Sequence, residues 1–124
     1  MKHLMNAILF ALATILVMPV FAHGDAKPKH GGVLVAASDL SFELVSTADG
    51  ATLYVEDHGK TLATANMTGK LAVLTGANKT EADLKPAGDN KLNVTGLKLV
   101  SGAKAVATIN AVGKKPLTVR FVIR

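Results

Sequence analysis

Three histidines give this chain its most distinctive chemistry. His23, His30 and His58 lie in the polar, glycine-flanked settings His-Gly-Asp, Lys-His-Gly-Gly and Asp-His-Gly, which are not the surroundings of core residues. Imidazole is the commonest protein metal ligand and suits copper, zinc and nickel. The chain has no cysteine, and Met67 is its one thioether beyond the first 22 residues. A thiolate zinc site, a disulfide framework and a cysteine nucleophile are therefore excluded, and a soft Cu(I) site is disfavoured.

The start of the chain bears on the first histidine. Lys2 and His3 precede an apolar run from Leu4 to Val17, followed by Pro19 and the small-residue border Val20-Phe21-Ala22. That order is the grammar of a secretory signal peptide. A bilayer-spanning helix needs about 20 consecutive apolar residues. This run is shorter and carries Asn6 and Thr14, so cleavage is expected, leaving no stable membrane span and a protein located in the periplasm. The favoured cut falls before His23, with a cut after Ala26 as second choice.

A free amino group on His23 changes what that residue can do. The α-amino nitrogen and Nδ1 of one residue can close a chelate on a metal ion, an arrangement that suits the tetragonal geometry of Cu(II). His30 is the expected third nitrogen. Glu56 and His58, two apart, are expected to share a strand face. Asp25 and Asp57 are reserve oxygen ligands. The expected cofactor is Cu(II), with zinc or another divalent metal as the alternative.

Catalytic chemistry finds no footing. The serines Ser38, Ser41, Ser46 and Ser101 lie in no G-x-S-x-G turn. Adjacent acids such as Glu56-Asp57 point to opposite faces of a strand. No catalytic residue is nominated, and the chain is not expected to be an enzyme. With 14 basic and 9 acidic residues the net charge is +5. The lysines are scattered singly, as on a solvated surface, and nucleic acid is not an expected partner.

These side chains need a frame. Residues 1–22 are read as signal peptide, forming a helix before processing, residues 23–32 as a flexible arm, and residues 33–124 as one β domain. From Val33 on, runs rich in Val, Leu and Thr recur about every ten residues between Gly, Asn, Asp and Pro. Strands are expected at 33–37, 40–46, 51–57, 61–66, 70–74, 80–85, 91–95, 104–110 and 117–123. The expected core includes Leu44, Leu53, Val55, Leu71, Val73, Val106, Val119 and Phe121. Seven to nine short strands predict an all-β, immunoglobulin-like sandwich, with a small closed barrel as the alternative.

Four stretches also carry a resemblance: His23-Gly-Asp25, Lys29-His-Gly-Gly-Val33, Leu40-Ser-Phe-Glu-Leu44 and Leu53-Tyr-Val-Glu-Asp-His58. Across these the chain resembles small periplasmic proteins found alongside heavy-metal efflux systems of Gram-negative bacteria. A mature amino-terminal histidine on a β-sandwich is also similar to CopC-type copper-binding proteins, where that histidine and an Asp-x-His pair hold Cu(II). The comparable pair here, Glu56-x-His58, is mid-chain. The resemblance implies a metal-binding accessory role with an envelope efflux component as partner. The competing expectation is a structural or interaction module of the envelope that binds no metal.

Overall fold

The computed structural model describes residues 27–111 and 113–124. The expected signal peptide, its cleavage border, His23 and Asp25 lie outside the described residues. Nine strands follow one another: β1 (Val33–Ala37), β2 (Leu40–Ser46), β3 (Gly50–Asp57), β4 (Lys60–Thr61), β5 (Met67–Thr75), β6 (Asn78–Pro86), β7 (Lys91–Thr95), β8 (Lys104–Ala111) and β9 (Leu117–Val122). No helix occurs among the described residues, which are all-β as the periodicity predicts.

Every strand pairing is antiparallel, in the order β1-β2-β3-β7-β6-β5-β8-β9, with β4 attached to the end of β3. The path divides into two sheets that share β6. Asn78 to Leu84 pair with β5, whereas Lys85 and Pro86 pair with Asn93 and Leu92 of β7. Strands β5, β6 and β7 are consecutive hairpins and β8 returns beside β5, which is a Greek key. The outer strands β1 and β9 lie side by side without ladder pairing. The result is a nearly closed barrel, between the two architectures anticipated.

The core fills the space between the two sheets because side chains alternate along each strand. Phe42 and Leu44 of β2, Leu53 and Val55 of β3, Leu71 and Val73 of β5, and Val119 and Phe121 of β9 are buried. Val106 was expected among them and instead lies half-buried on the outer side of β8, while Ala105, Ala107 and Ile109 point inward. The stretch Lys-Ala-Val-Ala-Thr-Ile-Asn-Ala has small apolar residues in both phases, so its own pattern does not select a face. Pairing of Ala105 with Val73 and Phe121 selects it.

The strand expected at 61–66 shortens to Lys60–Thr61. Buried Thr64 leaves the ladder: its N–H donates to the Asp89 carbonyl at 3.0 Å and its hydroxyl to the Lys91 carbonyl at 2.7 Å. Threonine's hydroxyl competes with regular pairing in this way, and here it pins the β4–β5 connection to the turn before β7.

Candidate functional site

The outer face of the β2–β3 sheet is where the histidine arm meets the barrel. Alternation places Ser41, Glu43 and Val45 of β2 on that face beside Thr52, Tyr54 and Glu56 of β3, with Glu43 opposite Tyr54 and Ser41 opposite Glu56. An outward glutamate on a strand is ordinarily solvated. Glu43 is only 4% exposed, because residues 27–32 fold across it.

Its carboxylate holds the arm by main-chain donors. The Lys29 N–H donates to Oε1 at 2.9 Å, the His30 N–H to Oε2 at 2.9 Å, and the Gly32 N–H to Oε2 at 2.9 Å. Hydrogen bonds to an ionised acceptor are roughly twice as strong as neutral ones. The segment expected to be loosely held is thus fixed from Lys29 onward. Two glycines permit the approach. Gly31 has φ +73°, in the left-handed region, and at Gly32 a Cβ would lie within 2.7 Å of Val45 Cγ2 and collide with the Leu44 carbonyl.

Two side-chain contacts complete the anchorage. The His30 ring stacks on Tyr54 with centroids 3.7 Å apart and planes 11° from parallel. Lys29 Nζ lies 3.0 Å from Glu56 Oε1, a pair in which the glutamate side chain is 17% exposed and the lysine 57%. Beneath the arm is a cleft of about 240 Å³ edged by Lys27, Lys29, Ser41, Glu43, Tyr54 and Glu56.

His58 is elsewhere. Asp57 pairs with Lys60, so His58 and Gly59 form a two-residue hairpin loop, with φ +49° and +80°. Positive φ at both central residues is the type I′ pattern. His58 has therefore left the strand, and the period of two that was expected to align it with Glu56 no longer applies. Its Nδ1 contacts Asp57 Oδ1. Both residues edge a different pocket of about 510 Å³ at the end of the barrel, over Phe42, Met67 and Ile109.

Of the six candidate ligands, His30 stacks on Tyr54 and Glu56 pairs with Lys29 on the same sheet face, His58 and Asp57 meet at the barrel end, and His23 and Asp25 are outside the described residues. Among the described residues no three His, Asp or Glu side chains converge to hold a metal ion. Sequence reasoning passed over Glu43, Tyr54 and Lys29. The signal for them was the Gly31-Gly32 pair, which announces close backbone approach without saying to what.

The fold and site define a class: a small Greek-key β barrel whose amino-terminal arm is latched by a buried carboxylate. No protein-family model, curated protein or solved structure matches this chain.

Proposed function

We propose that this is a non-enzymatic metal-binding accessory protein of the periplasm, exported by residues 1–22 and serving metal resistance or efflux, that takes up Cu(II) through the amino group and imidazole of His23 with His30 as partner. Zinc or another divalent ion is the alternative cargo. One observation carries the reading: His30 is held at the root of the arm by the Glu43 bonds and the Tyr54 stack, with the residue itself exposed. A third ligand already fixed in place costs less entropy to recruit. The seven residues from His23 to His30 span at most about 24 Å when extended, and a loop of that length closes readily onto one ion. His58, at the barrel end, becomes a separate weaker site or a plain surface residue. The likeness to immunoglobulin-like sandwiches belongs to this reading only through the facing sheets and the Greek key.

The chain contains one tyrosine and no tryptophan, so its intrinsic emission comes from Tyr54, against which His30 is stacked. A paramagnetic ion on His30 quenches that emission at close range. Titration of the processed protein with Cu(II) is expected to give one saturating quench, abolished by His30→Ala and reversed by acid, because the ligand nitrogens must be unprotonated to bind. Adding one residue ahead of His23 displaces the amino nitrogen and is expected to weaken binding with the barrel unchanged. Undiminished affinity in both variants would remove this reading.

A non-metal interaction module is the second reading, and a specific observation favours it: nothing among the described residues covers the outer face of the β5–β8 sheet.

A further inference from the structure

We propose that the outer face of the β5–β8 sheet is a peripheral docking surface for an anionic lipid bilayer. Alternation turns Lys70, Ala72 and Leu74 of β5, Lys104, Val106 and Thr108 of β8, and Arg120 and Val122 of β9 outward. Leu74 pairs with Lys104 and Lys104 with Val122, so two aliphatic side chains flank a lysine in one row across three strands. In the next row but one Ala72 pairs with Val106, and Val106 with Arg120.

Large apolar side chains are exposed at this end of the barrel. Val122 is 60% exposed and Leu74 37%. Val100, 38% exposed, belongs to the turn closed by the Ala103 N–H to the Val100 carbonyl, and that turn is bonded to Ile123, next to Val122. Among the described residues these three are the exposed large hydrophobics.

Cations outnumber acids around them, Lys70, Lys79, Lys104 and Arg120 against Glu81 and Asp83. Glu81 and Asp83 of the same face lie on β6, and Glu81 is engaged by Lys70 at 3.8 Å and Lys79 at 3.6 Å. Among the described residues no acid pairs with Lys104 or Arg120. Aliphatic groups interleaved with cations match a bilayer surface, where the first enter the acyl boundary and the second meet lipid phosphates. Three aliphatics are too few for a stable protein interface, which buries about 800 Å² on each partner. A laterally fluid surface needs no such complementarity. Bound this way, the barrel would hold its arm and His30 on the side facing water, independently of whether a metal binds there.

The test is co-sedimentation with vesicles of phosphatidylcholine, with and without phosphatidylglycerol. The chain from His23 on is suitable, since among the described residues every core residue lies between Val33 and Ile123. Binding is expected only with the anionic lipid and is expected to fall as salt rises. Lys104→Glu with Arg120→Glu should lower partitioning by more than about tenfold, and Val122→Asp should lower it too. Lys60→Glu with Lys114→Glu makes the same charge change elsewhere and should leave most binding intact. No binding to anionic vesicles, equal binding to neutral ones, or equal loss in both charge pairs would overturn the proposal. So would sedimentation showing a dimer that Val122→Asp dissolves, since a second copy would then be the occupant.

Discussion

The two outer faces of the barrel are built on the same antiparallel plan and end in opposite states. On the β2–β3 sheet an arm lies across the strands, and an outward glutamate is 4% exposed with three backbone donors on it. On the β5–β8 sheet nothing among the described residues lies across the strands, and an outward valine is 60% exposed. Both departures run against the rule that polar residues face water and apolar ones avoid it. Burial of a charged side chain is tolerated where donors replace water. Exposure of an isolated aliphatic is common, but three at one end of a sheet call for a covering surface.

The comparison predicts how the faces respond to change. The largest effect is expected for Glu43→Ala. It removes charge-assisted bonds worth about 1.5–3 kcal/mol each, partly offset by the freedom the arm regains, so unfolding free energy should fall by about 2–4 kcal/mol in a denaturant titration. Hydrogen exchange should speed up at Lys29, His30 and Gly32 and stay slow in β5 and β8. Equal loosening of both sheets would break the comparison.

A smaller loss is expected for Gly32→Ala. The added Cβ meets the Leu44 carbonyl as well as Val45 Cγ2, and the backbone contact cannot swing aside; overpacking of that kind costs about 1–3 kcal/mol. Gly76→Ala, in the open hairpin between β5 and β6 with φ +60°, should cost about 1–2 kcal/mol from left-handed strain alone. Circular-dichroism melts of the two variants measure the difference, and only the first should also change Tyr54 emission.

Ion pairs separate the faces least. Lys29→Ala removes the contact to the partly buried Glu56 and should cost up to about 1 kcal/mol, whereas Glu81→Gln, which frees two exposed lysines, should cost about 0–0.5 kcal/mol. Repeating both melts at high salt should shrink the first difference and leave the second near zero.

Much of the frame was legible in the chain itself. The ends of β1, β2 and β7 agree with the strands expected from alternation and turn residues, because a two-residue period with Gly, Asn or Asp at its borders is a local property. The burial of Phe121 and Leu53 was legible for the same reason. His58 was misplaced because leaving a strand takes only one change of φ, and a two-residue turn at Asp57-His-Gly-Lys60 looks like one more step of the strand.

What the sequence alone determined is the all-β character and the strand spacing, both of which depend on neighbours close in the chain. Tertiary structure decided which phase of β8 faces the core, that Thr64 leaves its ladder, and that Glu43 is a latch rather than a surface charge. Each of these rests on partners from 11 to 32 residues away, and a carboxylate's role depends on which donors reach it, which no local pattern encodes.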